Sequence, residues 1–345
     1  MIVNLFKMYF ISILFFIYDI TKFNIFLKLI EIIGGPLFIK ILQVFRDFYN
    51  LKNSDNNVGS ISEITIKDNI VTKTLKSGIK NDLRISLNLL KDILNIKKIR
   101  YPFYFSDFDD INYRQLDLNL EKEYSKKLNE IFKNIKKINV INIFESNNYY
   151  HKSDLIVGEK IDCFLSKKDN FKFEKEIYSL LYLSYYLMLS SNIFHCDWHF
   201  GNFLVTINND EIILNILDTG LMSELEEDNY TKLKILIRTN MLKPEPINIL
   251  KFLCSVNKNT NANLNLFILK CKKEIPFLNK NQNYKIILLK FMKFSSEFNL
   301  KFPICILYMF QAIIFINSCS SFIIKDLYKF SKEYGFSDEI LKYLL

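Results

Sequence analysis

The residues with the most chemistry to offer lie between Phe194 and Ser223, in the run FHCDWHFGNFLVTINNDEIILNILDTGLMS. Within His195-Cys196-Asp197-Trp198-His199-Phe200-Gly201-Asn202, a carboxylate at 197 and an amide at 202 are five residues apart, and an apolar strand pattern follows at once. Twenty-one residues after Asp197, a second apolar strand pattern, Ile212–Leu217, ends in Asp218-Thr219-Gly220. This is the layout of a kinase-type catalytic loop followed by a metal-binding loop. Asp197 would orient or deprotonate an attacking group, Asn202 would hold a metal, and Asp218 would bind the Mg²⁺ that bridges the phosphates of ATP. The polar turn Asn208-Asn209-Asp210 predicts a hairpin of Phe203–Ile207 with Glu211–Leu217, which brings the three groups together. Asp, Asn and Gly also cap strands and helices in any protein. What favours the catalytic reading is the string H-x-D-x-H-x-G-N combined with D-x-G at hairpin distance.

Other elements must position these groups. A helix over Phe173–Ser191 leads into the loop. Upstream, Ser60–Ile66 and Asn69–Leu75 read as two strands around Lys67-Asp68. Lys73, in the second, is the natural partner of the α- and β-phosphates beside such a loop. The polar stretch before the first strand, with Gly59 and Ser60, could lie over phosphates, because glycine allows close backbone approach. Ile79, Leu83, Leu87, Leu90 and Leu94 recur at helical spacing and predict a helix over 79–97. A second helix is expected from about Asn112 to Ile135, carrying Gln115, Asp117 and Glu121. Glu121 is the candidate ion-pair partner of Lys73. Lys136–Glu145 and Asp154–Glu159 read as further strands of a small sheet. Glu159 lies where a hinge between lobes would run, and counts as a nucleotide-contact candidate.

From Phe171 onward the pattern is helical. Glu224, Glu226, Glu227 and Asp228 place acids at the positive end of a new helix. Ile304–Ile324 is nearly apolar and long enough to span a bilayer, but it carries Gln311 and Asn317, and a buried core helix is the better reading. At the other end, residues 1–33 are strongly apolar, with three readings open: a helix packed on the fold, an interfacial membrane helix, or a span. They show neither a signal-peptide cleavage pattern nor the Arg- and Ser-rich bias of a transit peptide. Gly34-Gly35-Pro36 breaks the segment, and a new helix begins in which Lys40, Gln43 and Asp47 share one face.

Composition narrows the class further. Half of the 345 residues are apolar and 15% are aromatic, enough for a sizeable core in one large domain or two joined lobes. The net charge of +9 comes from lysines scattered among Asn and Ile, the bias of an AT-rich genome. A basic patch for anionic lipid or nucleotide stays open. No nucleic-acid motif is present. The six cysteines form no C-x-x-C pair and, with His151, His195 and His199, no zinc-like spacing, which predicts free thiols in a reducing, intracellular compartment.

Over about Gly34 to Asn317 the chain resembles the UbiB/ADCK atypical protein-kinase-like family, which is tied to ubiquinone biosynthesis and membrane lipids. The family's H-A-D-x-H-P-G-N and D-F-G strings match His195–Asn202 and Asp218–Gly220. Its hallmark G-P-x-F-x-K-x-G-Q helix, which folds over the active site, matches Gly35-Pro36-Leu37-Phe38-Ile39-Lys40-Ile41-Leu42-Gln43, with Leu42 in place of the second Gly. The A-A-A-S loop corresponds to Asn57-Val58-Gly59-Ser60, and the V-x-V-K strand loosely to Val71-Thr72-Lys73. E-x-D with a Glu four residues on corresponds to Gln115-Leu116-Asp117 and Glu121. By resemblance, Lys40, Gln43, Gln115 and Asp117 form a gate over the nucleotide. That gate is altered here at Leu42, Gln115 and the loop before Ser60, which implies looser restraint. Trp198, Phe200 and Thr219 also depart from the pattern. Thr219 removes an aromatic that usually packs on the helix carrying Glu121.

The resemblance implies an α+β, two-lobed kinase-like fold. N-terminal helices would occupy 1–52, a small lobe 53–162 and a helical lobe 163–345. The expected function is that of an atypical kinase or ATPase using ATP and Mg²⁺, supporting isoprenoid-quinone or membrane-lipid metabolism at a membrane, with a quinone precursor or lipid as partner. Two alternatives remain open: a catalytically weak, nucleotide- or lipid-sensing scaffold, and a small-molecule phosphotransferase.

Overall fold

A computed structural model describes residues 61–96, 100–208, 211–242, 246–274 and 284–319. The expected N-terminal helices with Lys40 and Gln43, and the loop with Gly59 and Ser60, lie outside the described residues. The chain divides into two compact units, one of Met1–Thr65 with Lys73–Tyr101, the other of Ile66–Thr72 with Pro102–Leu345.

In the first unit, β1 (Ser62–Lys67) and β2 (Ile70–Leu75) contribute their outer halves, and α1 (Ile79–Ile96) follows. Leu83, Leu87, Leu90 and Leu94 are buried, as their three- and four-residue recurrence predicts. The turn between β1 and β2 belongs to the second unit. Asp68 and Asn69 both adopt positive φ, 51° and 59°, the conformation a two-residue hairpin loop requires and Asp and Asn tolerate.

The second unit continues with α2 (Phe105–Arg114), α3 (Leu118–Phe132), β3 (Ile138–Val140), β4 (Ile143–Ser146) and β5 (Tyr150–Asp154). β6 (Glu159–Lys160) and the short α4 (Ile161–Leu165) come next, and then α5 (Glu174–Ser190), whose residues from Ile177 onward are almost all buried. One sheet has the order β1-β2-β5-β4, and Leu155 donates its N–H to the Asn69 carbonyl beside it.

The sequence suggested one helix from Asn112 to Ile135 and strands of a single small sheet after it. Both readings need correction. The helix is broken at Gln115–Asp117, because Asp117 turns its carboxylate back to accept the N–H groups of Asn119 and Leu120 and so starts α3 as an N-cap. β3, for its part, pairs in parallel with a strand of the hairpin that follows Asn202.

That hairpin is β8 (Phe203–Asn208) with β9 (Glu211–Ile216), reached through β7 (Phe194–His195). Its register sets Phe203 opposite Ile216 and Asn208 opposite Glu211, as the turn chemistry predicts. The sheet order is β3-β9-β8-β6, and a separate pair joins β10 (Met222–Ser223) to β7. The helices α6 (Glu227–Leu242), α7 (Pro246–Ser255), α8 (Leu264–Glu274), α9 (Tyr284–Glu297) and α10 (Ile304–Cys319) complete the unit. α10 packs against β7, α5 and α9, with Ile304–Phe310 buried throughout, so its apolar run serves a core. Among the described residues no helix is long and apolar enough to cross a membrane.

α5 ends in a Schellman motif: Ile193 N–H reaches the Met188 carbonyl, Asn192 N–H reaches that of Leu189, and Asn192 itself takes φ 59°. The Asn192 side chain then bridges to Leu225, accepting from its N–H at 2.9 Å and donating to its carbonyl at 2.8 Å. One asparagine therefore both ends the helix and ties its end to the segment beyond the second acidic loop.

Candidate active site

Two backbone pairings bring the candidate loops together. β7 pairs antiparallel with β10, so His195 faces Met222, and Cys196 N–H donates to the Leu221 carbonyl at 2.8 Å. At the base of the hairpin, Leu217 N–H donates to the Asn202 carbonyl at 2.9 Å. The loop 196–202 and the loop 218–221 are thus fastened at both ends, and Asp197, Asn202 and Asp218 come from adjoining backbone.

The amide of Asn202 donates from Nδ2 to the Asp197 carbonyl at 2.7 Å. With its nitrogen committed, Oδ1 is the atom this buried side chain can offer a cation. Asp218 accepts the Gly220 N–H through Oδ1 at 2.8 Å, which fixes the carboxylate orientation. Hard oxygens from one carboxylate and one amide, completed by phosphate oxygens and water, suit Mg²⁺. Among the described residues no group of three or more His, Cys, Asp or Glu side chains could hold a metal alone.

His195 locks the two loops to each other. Its Nδ1 accepts the Asp197 N–H at 3.2 Å, so in the neutral ring Nε2 carries the proton and donates to the Asp218 carbonyl at 2.9 Å. Burial holds this imidazole below the usual histidine value of 6.5, against the raising pull of the Asp197 and Asp218 carboxylates. A folded-state pKa below the unfolded one means that the unfolded chain takes up the proton first as pH falls. The contribution is therefore full above about pH 6.5 and is lost below it. The urea midpoint of the wild type should drop between about pH 7.5 and about pH 5.5 by more than that of His195→Asn, which keeps an acceptor at the Nδ1 position but does not titrate.

Glu121, on α3, is buried, and the D-T-G loop meets it twice. The Thr219 hydroxyl, fully buried, donates to the Glu121 carbonyl at 2.8 Å. The aromatic contact whose loss the sequence implied is replaced by a hydrogen bond between the same loop and helix. Gly220 fits between two carboxylates: a Cβ there would lie 3.1 Å from Asp218 Oδ1 and 3.2 Å from Glu121 Oε2. Thr219→Val keeps the shape and removes the donor. It should cost about 1–2 kcal/mol in urea unfolding, with Thr219→Ser retaining most of the bond.

His151, on β5, sets Nε2 3.4 Å from Glu121 Oε1, with both side chains buried. Nothing in the sequence singled it out as a site residue; the only available signal was its alternation with buried Ser153 on one face of a strand. Around the loop, Trp198 is buried against Phe203, Tyr185 and His195, with ring centroids at 4.6, 4.9 and 5.1 Å. Phe200 stands edge-on to Phe315 at 4.8 Å. Cys196 is buried, which pushes its thiol well above the ordinary value and makes it inert. Cys163, Cys196, Cys254, Cys271 and Cys305 are free thiols.

The remaining sequence candidates stand on several elements. Lys73 stands on β2 in the first unit. Glu159, on β6, pairs with Val205, and its carboxylate takes the Lys167 ammonium at 2.6 Å in an exposed ion pair. Gln115 is buried and donates to Asn112 Oδ1 at 3.4 Å, while Asp117 is the N-cap of α3.

Comparison with known proteins adds a family match. A model of the ABC1 atypical kinase-like domain matches residues 62–244, more than half of the chain. An uncharacterized protein of Buchnera aphidicola subsp. Baizongia pistaciae (strain Bp) is 26% identical over 257 residues, 67% of this chain and 34% of the relative. The chain therefore spans about a third of that relative's length. Among solved structures, Rv3197 of Mycobacterium tuberculosis in complex with erythromycin aligns with a TM-score of 0.47 and 16% identity, over 82% of this chain and 78% of that one. The Rio2 kinase of Chaetomium thermophilum, in its ADP/Mg²⁺-phosphoaspartate complex, aligns with a TM-score of 0.32 and 13% identity, over 88% and 74%.

Proposed function

Because the chain belongs to the ABC1 atypical kinase-like family, we propose that it binds ATP with Mg²⁺ and transfers or hydrolyses the γ-phosphoryl group slowly. The observation that carries this reading is the commitment of the Asn202 amide nitrogen to the Asp197 carbonyl. The same bond that turns Asn202 into an oxygen donor fixes the backbone of the would-be base. Bound Mg²⁺ would neutralise phosphate charge between Asn202 and Asp218. Lys73 supplies a cation for the phosphates, and Asp197 receives the proton of the attacking group. As the O–H bond of a hydroxyl or water breaks towards Asp197, a new O–P bond forms at the γ-phosphorus. The bond from that phosphorus to the bridging oxygen breaks, and its electron pair leaves with ADP.

The acceptor class we carry forward is an isoprenoid-quinone precursor or a membrane lipid, on the family resemblance. On the same resemblance, we propose Glu121 as the ion-pair partner of Lys73. The gate role of Lys40, Gln43, Gln115 and Asp117, and the nucleotide contacts of Gly59, Ser60 and Glu159, remain part of the proposal.

The test is thermal unfolding with and without Mg²⁺-ATP, on the wild type and on Asp218→Asn. Ligand at about a hundred times its Kd adds roughly 2.7 kcal/mol. A metal-dependent rise in the wild type that Asp218→Asn lacks is the expected result. No rise in either protein would overturn the reading and favour a scaffold that docks or binds lipid without nucleotide.

A further inference from the structure

We infer that His199 is a positioning residue for Asp197: its imidazole N–H holds one carboxylate oxygen of the base and so sets the orientation of the carboxylate towards the attacking group. This rests on the phosphoryl-transfer reading above.

The ring is fixed before it meets Asp197. His199 has extended backbone and caps the single turn Phe200–Asn202 with its own side chain, Nδ1 accepting the Gly201 N–H at 3.0 Å. An acceptor at Nδ1 leaves the proton of the neutral ring on Nε2. Nε2 is the atom that faces Asp197 Oδ1, at 3.4 Å. Such contacts tighten when substrate binds.

Gly201 carries independent evidence that the ring's place matters. A Cβ at 201 would lie 2.7 Å from His199 Cε1 and 2.9 Å from its Nδ1, and, its chain neighbours aside, would meet no other atom of the described residues within 4 Å. The position therefore excludes a side chain because of this ring. Asp197 is in consequence gripped at three points: main-chain N–H by His195, carbonyl by Asn202, carboxylate by His199. The first two fix the backbone; the third acts on the reacting group. His199 is about half-exposed, so replacing it opens no core.

The experiment compares Mg²⁺-ATP turnover and nucleotide-induced thermal shift in the wild type, His199→Asn and His199→Gln. Asn reproduces the Nδ1 acceptor and loses the far donor; Gln places an N–H near the Nε2 position. The expected result is a kcat lowered about 10²-fold in His199→Asn, an unchanged KM for ATP, an unchanged thermal shift, and recovery of most of the rate in His199→Gln. Gly201→Ala should lower kcat in the wild-type background and have no further effect on His199→Ala. Equal rates for His199→Asn and the wild type, or a loss seen in KM alone, would overturn the inference while leaving nucleotide binding intact. Binding without turnover in the wild type would do the same. Absence of any thermal shift in the wild type would instead remove the reading on which the inference rests.

Discussion

Asp197→Asn is expected to lower turnover of Mg²⁺-ATP by about 10²–10⁴-fold while leaving the Mg²⁺-ATP thermal shift at its wild-type size. The two effects separate because of how the residue is held. Its main-chain N–H and carbonyl are bonded to His195 and Asn202, and neither bond involves the carboxylate. Asparagine therefore keeps the loop in place, keeps Asn202 Oδ1 available for a cation, and removes only the proton acceptor. Single-turnover measurements on the two proteins, alongside the thermal shift, decide the matter. A rate loss accompanied by loss of binding would mean that Asp197 is structural. An unchanged rate would assign the proton to another group.

The largest stability effect should come from Trp198→Ala. The chain has one tryptophan. Its indole is buried between Phe203, Tyr185 and His195 at centroid distances of 4.6 to 5.1 Å, and it lies in sequence between Asp197 and His199. Truncating a buried aromatic costs about 3–5 kcal/mol, a large share of what a domain has. The tilted and edge-on rings leave no single neighbour able to fill the space. Trp198→Phe should cost much less, because its ring keeps much of the contact and removes an indole N–H that has no hydrogen-bond partner among the described residues. Urea unfolding of both variants measures the difference. The tryptophan fluorescence of the wild type, which comes from this one buried indole, should shift to the red in the same transition.

Most of the elements were legible because their signals are local. The leucines of α1 recur at the helical period and are buried. The β8–β9 hairpin follows from alternating apolar residues and the turn chemistry between them. The candidate site pattern could be read for the same reason: Asp197 and Asn202 lie in one short loop, and Asp218 follows one hairpin later. The break at Gln115–Asp117 was missed because Gln and Leu suit a helix interior, and only the turning back of the Asp117 carboxylate stops α2 from continuing into α3.

By itself, then, the sequence determined which groups could do chemistry, and that a hairpin would bring them together. Tertiary structure alone decided how they are held. β3 joins the hairpin after Asn202 through a parallel pairing between Ile138–Val140 and Leu214–Ile216, which no local pattern encodes. Thr219 reaches across to the Glu121 carbonyl, and His151 comes to face the Glu121 carboxylate, only after α3, β5 and the D-T-G loop have packed. The physical reason is the same in each case. Periodicity and turn chemistry act over a few residues, whereas the orientation of a carboxylate depends on partners far away in the chain that burial brings within hydrogen-bonding reach.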